Sequence, residues 1–156
     1  MKAPFRTVLC PTDLSAIGNL AIPTAYLLAA KGGTVHLVHV DAAPNTGNPL
    51  YPDERPKGAP QPAQIAARAK DLRAKLSALV PADAAARGIS SQVDLVVGED
   101  VPLALEKAAK ALKADVIVLG THGRAGIARL VHGESLASRL VHRSDLDVIL
   151  VHSDRP

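Results

Sequence analysis

The sequence predicts an α/β fold of the Rossmann-like type, with an open, parallel, five-stranded sheet and helices on both faces. Short apolar, β-branched runs alternate with segments of helical periodicity in the order β-α-β-α-β-α-β-α-β. Strands that alternate with helices pair in parallel, because each helix returns the chain to the same end of the sheet. The run at 115–119 supports this assignment, since it is apolar after its first residue, as in strands buried on both faces.

The composition is that of one folded domain. Of the 156 residues, 47% are hydrophobic and 21% charged, so a substantial core and a single domain over 1–156 are expected. No apolar run approaches the roughly 20 residues that span a bilayer, and the N-terminus lacks a secretory signal, so a cytoplasmic protein is expected. Cys10 is the only cysteine, which excludes an intramolecular disulfide. A net charge of +3 is weak evidence for nucleic-acid binding, which needs clustered cations. The three aromatic residues are too few for a surface on which bases stack, so no nucleic-acid partner is expected.

The first strand and the first helix come directly after the N-terminus. The run Thr7–Cys10 predicts a buried strand, halted by Pro11. Apolar residues at helical spacing then predict a helix over 16–30, for which Asp13 or Ser15 can act as the N-cap.

The end of this helix and the next elements are marked by glycine and proline. Pro23 predicts a kink or a late helix start, and Lys31-Gly32-Gly33 supplies a cation and a glycine stop. A second strand over 34–40 follows. Residues 41–62 hold six of the twelve prolines, which predicts a long surface excursion within the domain. Helical spacing resumes over 63–80.

The second half of the chain repeats the alternation. The runs 93–97 and 115–119 predict the third and fourth strands. Between them, Asp100 as N-cap and Pro102 in the first turn open a helix that runs to about Lys113. The chain closes with a short helix and a fifth strand, at 135–142 and 147–152.

A glycine-containing stretch follows the fourth strand, at the sheet edge where folds of this class bind ligands. Gly120, Gly123 and Gly133 lack side chains, so backbone N–H groups there can approach an anion. Arg124 can add a cation, and Ser135 can add a hydroxyl donor. Glycine turns after strands are also routine structural features, and both interpretations stay open.

Asp13 lies at the end of the first strand, on the same sheet edge. Its carboxylate can accept hydrogen bonds from ligand hydroxyls or from an exocyclic amine, or it can cap a helix, and the two roles can coexist.

Other nucleotide and catalytic motifs are absent from the sequence. No G-x-x-x-x-G-K-[ST] occurs and no G-x-G-x-x-G follows a strand, which argues against a P-loop ATPase and a two-domain dehydrogenase. His122, His132 and His142 have neither helical nor strand spacing, so no metal site is predicted. Gly133-Glu134-Ser135 only faintly resembles a serine-hydrolase nucleophile elbow, which needs a strand directly before the serine.

The spacing Gly120-x2-Gly123-x9-Gly133, followed by Ser135, resembles the nucleotide motif G-x2-G-x9-G-[ST] of universal stress proteins. The likeness covers essentially the whole chain. The segments that are similar to the family's first, second, fourth and closing strands are Val8–Asp13, His36–Val40, Asp115–Arg124 and Val148–Val151.

Two positions depart from the family's pattern. Glu134 stands where the motif has Ser or Thr directly after its third glycine, and it looks like a single-residue insertion before Ser135. A carboxylate there is expected to repel a triphosphate unless it points outward or holds Mg²⁺. Asp147 stands where the family commonly has proline before the last strand.

The resemblance implies an adenine nucleotide alpha hydrolase-like fold with a site for ATP, alone or with Mg²⁺. The residues implied to hold adenine and ribose are Pro11, Thr12, Asp13 and Val40. Those implied to hold the phosphates are Gly120, Gly123, Gly133 and Ser135, with Arg124 as a neighbour.

The resemblance also implies a homodimer that pairs through the last strand. Two functions follow as alternatives: an ATP-binding regulatory module of the stress response, or an interaction protein of the same fold that binds no nucleotide. Because no residue has the context of a positioned base, no enzyme is expected beyond very slow ATP hydrolysis.

Overall fold

The structure, a computed structural model, describes residues 4–41, 58–121 and 135–153. Within these ranges, the strands β1 to β5 are Phe5–Pro11, Ala29–Asp41, Ser90–Val97, Val116–Thr121 and Asp147–His152. The helices α1 to α4 are Ala21–Leu28, Pro62–Ala78, Val101–Ala111 and Leu136–Arg143. A short 3-10 helix, Gly18–Leu20, directly precedes α1.

The strands form one parallel sheet in the order β3-β2-β1-β4-β5. The chain starts in the middle of the sheet, adds β2 and β3 on one side, and then crosses back to add β4 and β5 on the other. The strand order therefore reverses between β1 and β4. In open parallel sheets a crevice forms at this point, beyond the C-terminal ends of the strands.

Two apolar layers attach the helices to the sheet, one layer on each face. Helices α1 and α2 pack on the first face through Ile22, Tyr26 and Leu76. Helices α3 and α4 pack on the opposite face through Leu105 and Leu140. Successive side chains of a strand alternate between the two layers, so the central strands are apolar at consecutive positions.

The predicted fold class is confirmed: the sheet is parallel, has five strands and carries helices on both faces. The fifth strand has the predicted bounds, 147–152. The other four strands are longer than predicted, because backbone pairing continues past the residues that carry an apolar signal.

The helix predicted over 16–30 is wrong at both ends. Helix α1 covers only Ala21–Leu28, and residues 16–20 form a turn and the short 3-10 helix. The late start agrees with Pro23, which lies in the first turn of α1, where a proline ring fits.

The predicted glycine stop, Lys31-Gly32-Gly33, lies inside β2. Phe5 pairs with Ala29 whereas Thr7 pairs with Thr34, so β2 takes up extra residues through a register shift against β1. Pairing with the central strand therefore outweighs the local stop signal.

The predicted cap of α3 is confirmed, and Ser135 supplies a cap for α4 that was not predicted. Asp100 accepts a hydrogen bond from the Leu103 N–H at 3.1 Å at the start of α3, and Pro102 lies in the first turn. Ser135 accepts one from the Ser138 N–H at 2.9 Å at the start of α4. These bonds satisfy N–H groups that have no partner within their own helix.

Helix α2 follows the proline-rich stretch, most of which lies outside the described residues. Asp41 ends β2, and α2 begins at Pro62 after the capping residue Gln61. With 17 residues, α2 is the longest of the described helices. No helix in the described ranges is long and apolar enough to cross a membrane.

Cys10 is fully buried in β1, in agreement with the buried strand predicted over Thr7–Cys10. Burial raises the pKa of its thiol to about 12. The thiol therefore stays protonated at neutral pH and is a poor nucleophile.

Candidate functional site

A cavity of about 180 Å³ opens at the reversal of strand order, where β1, β2 and β4 end. Helices α3 and α4 contribute to its wall. Its apolar lining residues are Val38, Val40, Val101, Leu105, Leu119 and Leu136. Its polar lining residues are Thr12, Asp13, Ser15 and His39. An apolar cavity with a few polar groups at one side is typical of a small-molecule site.

Thr12 is buried, and its backbone and side-chain polar groups are all hydrogen-bonded. Its N–H donates to the Val38 carbonyl at 2.9 Å, and its own carbonyl accepts from Nδ1 of His39 at 2.9 Å. Its hydroxyl donates to Oδ1 of Asn19 at 2.6 Å and accepts from the Leu14 N–H at 3.0 Å. These bonds fix the chain where it leaves β1.

Asp13 and Ser15 shape the turn that follows. Oδ1 of Asp13 accepts from both the N–H and the hydroxyl of Ser15, and the Ser15 oxygen accepts from the Gly18 N–H at 3.0 Å. Between them Leu14 has a φ of 67°, which bulky residues rarely adopt. The expectation that Asp13 or Ser15 caps α1 is wrong: both organise the turn, and the N-cap residue of α1 is Leu20.

Two glycines allow this turn to lie against the sheet. A Cβ at Gly18 would overlap Oδ1 of Asp13, and a Cβ at Gly120 would overlap the carbonyl oxygen of Ile17. A larger residue at Gly120 requires the backbone of Ile17 to move, whereas one at Gly18 would displace the Asp13 side chain and its bonds to Ser15. Gly120 therefore has a packing role, whatever contact it makes with a ligand.

The first turns of α3 and α4 lie beside each other at the cavity. Nη2 of Arg139 is 3.2 Å from Oδ2 of Asp100. The hydrogen bond from the Leu103 N–H lowers the pKa of Asp100, and the Arg139 guanidinium adds to this effect. Val101 and Leu136, the first residues of the two helices, line the cavity. Helix N-termini carry partial positive charge, so this side of the cavity favours an anion.

The described part of the cavity contains no lysine or arginine, and Asp13 is its one carboxylate. Within the described lining, helix ends and backbone N–H groups are the groups that could offset the charge of a bound anion. Within the described ranges, no group of three His, Cys, Asp or Glu residues is close enough to hold a metal ion.

The structure brings many of the sequence-predicted site residues together. Those that line the cavity are Pro11, Thr12, Asp13, Val40 and Gly120. Ser135 precedes the lining residue Leu136, and its oxygen caps α4. The predicted residues Gly123, Arg124 and Gly133, and the neighbouring Glu134, lie outside the described residues.

Sequence reasoning missed part of the cavity. Ser15, Gly18 and His39 line it, and so do Leu105 and Leu119. The leucines gave no signal, because apolar residues of the lining and of the core look alike in a sequence. Gly18 did carry a signal that was not used, because a glycine within a predicted helix lowers the expectation of a helix there.

Comparison with known proteins shows which family this chain belongs to. The model of the universal stress protein family matches residues 4–152, a range that holds every described strand and helix. The chain belongs to the universal stress protein family. No match was found among curated protein sequences.

Solved structures share the fold of this family member. A universal stress protein family protein from Burkholderia pseudomallei gives a TM-score of 0.69 at 24% identity, over 98% of this chain and 100% of that one. A universal stress protein in complex with cAMP gives a TM-score of 0.62 at 24% identity, over 98% of this chain and 100% of that one. A universal stress protein family protein from Arabidopsis thaliana with AMP bound gives a TM-score of 0.55 at 12% identity, over 95% of this chain and 92% of that one.

Proposed function

We propose that this universal stress protein binds an adenine nucleotide in the cavity between β1 and β4 and acts as a regulatory module of the stress response. The observation that carries the proposal is the position of the cavity at the reversal of strand order, with an apolar wall and the carboxylate of Asp13 at its rim. The complexes of structural neighbours with cAMP and AMP support it.

The apolar wall suits the flat faces of a purine. Val40 lies next to the last residue of β2 and Leu119 lies near the end of β4, while Leu105 of α3 packs in the same apolar layer. Packing a base among these side chains removes apolar surface from water, which favours binding. Asp13 is exposed at the rim, where its carboxylate can accept hydrogen bonds from ribose hydroxyls.

The size of the cavity indicates how much of the ligand it holds. Its volume of about 180 Å³ is below the roughly 300–1,000 Å³ of sites that enclose a whole drug-sized ligand. The base would lie inside, and the phosphates would extend past Gly120 toward Ser135 at the N-terminus of α4. Helix dipole and N–H groups favour phosphate there.

ATP is the proposed ligand, and Mg²⁺ would accompany it. Mg²⁺ is commonly held by phosphate oxygens with one or two carboxylates, and Asp13 is the carboxylate that the described cavity offers. The ion would shield the phosphate charge, which no cationic side chain in the described lining neutralises.

We propose a binding module rather than an enzyme. The groups in the described cavity that could act as a base are Asp13 and His39, and each already accepts or donates a hydrogen bond within the β1 turn. Catalysis needs a base free to take a proton from a positioned water. At most, slow hydrolysis of ATP is expected.

A homodimer through β5 completes the proposal. This strand lies at the end of the sheet order, next to β4 alone. Its four central residues are apolar and only partly buried: Val148, Ile149, Leu150 and Val151. Antiparallel pairing with a second copy would cover them and satisfy the free strand edge.

The second candidate is an interaction protein of the same fold that binds no nucleotide. Glu134 favours it, because a carboxylate in the glycine motif opposes phosphate charge. The cavity and Asp13 favour the first candidate.

Titration calorimetry distinguishes the two candidates. The protein is titrated with ATP plus Mg²⁺ and, separately, with AMP, and saturable heat is expected for both. Asp13→Asn should weaken AMP binding by about tenfold, the scale of a hydrogen bond to a charged group. Asp71→Asn, on the exposed face of α2, is the matched control and should bind like the parent. Absence of heat at millimolar nucleotide would remove the first candidate.

A further inference from the structure

The carboxylate of Asp13 is held on one side by Ser15, two residues further along the turn after β1. Oδ1 of Asp13 accepts a hydrogen bond from the Ser15 N–H at 2.9 Å and a second one from the Ser15 hydroxyl. A carboxylate oxygen has two lone pairs, so these two donors use the hydrogen-bonding capacity of Oδ1. Among the described residues, Oδ2 has no hydrogen-bond partner, and it keeps its capacity for a ligand.

The Ser15 hydroxyl is itself fixed by two hydrogen bonds. A carboxylate can only accept, so the hydroxyl proton is donated to Asp13. The hydroxyl oxygen accepts from the Gly18 N–H at 3.0 Å. Because a hydroxyl has a single proton to donate, Ser15 has none left for a ligand, although it also lines the cavity. Its hydroxyl therefore acts on Asp13.

Gly18 shows where Oδ1 lies relative to the cavity. Gly18 lines the cavity and has no side chain, so its backbone forms that part of the wall. A Cβ on Gly18 would overlap Oδ1 of Asp13, so this oxygen lies directly against the same backbone. The carboxylate is thus attached to the cavity wall through Oδ1.

The backbone between Asp13 and Ser15 is fixed as well. The N–H of Leu14 donates to the Thr12 hydroxyl at 3.0 Å, and the Leu14 side chain packs against the layer of α1 and α2. Leu14 keeps its φ of 67° because it is held at both of these points. A carboxylate fixed in this way loses little further conformational freedom when a ligand binds, which favours affinity.

We infer that Ser15 is a positioning residue, which holds the Asp13 carboxylate in place before a ligand arrives, so that the site selects nucleotides with free ribose hydroxyls. This inference rests on the proposed function, in which Asp13 accepts from the ribose, and adds the residue that acts through Asp13. A carboxylate accepts but does not donate, so a sugar without hydroxyl groups gains nothing from it.

Three serine variants separate this role from a merely structural one. Ser15→Ala removes the hydroxyl and leaves the bond from the backbone N–H to Asp13. Ser15→Thr keeps a hydroxyl and is the conservative rescue. Ser144→Ala is the matched control, because the Ser144 hydroxyl also accepts from a backbone N–H, that of Leu146 at 3.1 Å, and Ser144 does not line the cavity.

The measured quantity is the ratio of the dissociation constants of 2′,3′-dideoxy-AMP and AMP. A general loss of structure weakens both ligands alike and leaves this ratio unchanged. The parent protein, Ser15→Thr and Ser144→Ala should prefer AMP to the same extent. Ser15→Ala should lose about threefold of that preference, the scale of one weak hydrogen bond.

Asp13→Ala shows whether Ser15 acts through Asp13. In that background the preference for AMP should be gone, and adding Ser15→Ala should lower it no further. An unchanged preference in Ser15→Ala, or a further loss in the Asp13→Ala background, would overturn the inference while AMP binding itself still supports the proposed function. A parent protein that binds both ligands equally would overturn it in the same way.

Hydrogen exchange of the ligand-free parent protein tests the inference without any variant. Ser15 and Ala16 are both exposed, but among the described residues only the Ser15 N–H has a hydrogen bond, to Oδ1 of Asp13. The Ser15 amide should therefore exchange more slowly than that of Ala16 before a nucleotide is added. Equally fast exchange would overturn the inference. A protein that binds neither nucleotide would overturn it together with the proposed function.

Discussion

The carbonyl oxygen of Ile17 lies directly over the Cα of Gly120, in the place that a Cβ would occupy. This contact joins the turn after β1 to the end of β4 across the reversal of strand order. Both segments line the cavity. A glycine that the family motif assigns to phosphate is therefore also required for the fold around the site.

Gly120→Ala should destabilise the protein, because the new methyl group forces the backbone of Ile17 away. Overpacking of this kind costs about 1–3 kcal/mol. Urea unfolding measures it, with Gly98→Ala as the control. There the nearest atom to a new Cβ is a side-chain carbon of Ala104 at 3.2 Å, so a smaller loss is expected. Equal losses in the two variants would show that the contact with Ile17 has no special cost.

Removing Glu134 should strengthen ATP binding. The deletion places Ser135 directly after the third motif glycine and removes a negative charge, for a gain of about 1–3 kcal/mol. Glu134→Gln keeps the extra residue and removes only the charge, so it shows which of the two matters. Calorimetry with ATP measures both. Unchanged or weaker ATP binding by a folded deletion variant would mean that the carboxylate is harmless or useful.

The lowered pKa of Asp100 makes stability depend on pH. The hydrogen bond from Leu103 and the charge of Arg139 both favour the ionised carboxylate in the folded protein. Its contribution to stability is complete above the ordinary pKa of 3.8 and is lost as the pH falls through the lower folded value.

Asp100→Asn isolates this charge, since asparagine also caps helices. The parent should lose more stability than the variant when the pH is lowered through the acid range, as followed by thermal unfolding. Parallel pH profiles for the two proteins would contradict the assignment. Asp71→Asn, on the exposed face of α2, serves as the control for removing one carboxylate.

Ile149→Pro tests the dimer. Proline cannot donate to a strand ladder, so this change in β5 should yield monomers if β5 pairs with its copy. Val93→Pro makes the same change in β3, at the opposite end of the sheet, and should leave the dimer intact. Sedimentation gives the mass, and circular dichroism checks that both variants fold. A parent protein that sediments as a monomer at micromolar concentration would end the proposal.

The fold was predictable because its strongest signals are periodic. Five apolar runs and the helices between them indicate a parallel sheet. A cap such as Asp100 acts over a few residues, so it is visible in the sequence. The end of α1 was not predictable. Lys31-Gly32-Gly33 reads as a helix stop, yet pairing with Phe5 and Thr7 draws this segment into β2, a contact between distant residues.

The site residues that belong to a sequence motif could be predicted. Those that reach the site only through tertiary packing could not. Asp13 and Gly120 were singled out by their place at strand ends, and the resemblance to the family implied the same residues. His39 belongs to none of the motifs, so it was not predicted to lie at the site. Its hydrogen bond to Thr12 appears only once β1 and β2 are paired.

The most direct test of the central claim is whether filling the cavity removes nucleotide binding. Val40 and Val96 are both partly buried valines packed against the layer of α3 and α4, but only Val40 lines the cavity. Calorimetry with AMP should show binding by the parent and by Val96→Phe, and none by a folded Val40→Phe. Equal binding by the two variants would place the nucleotide elsewhere and contradict the account.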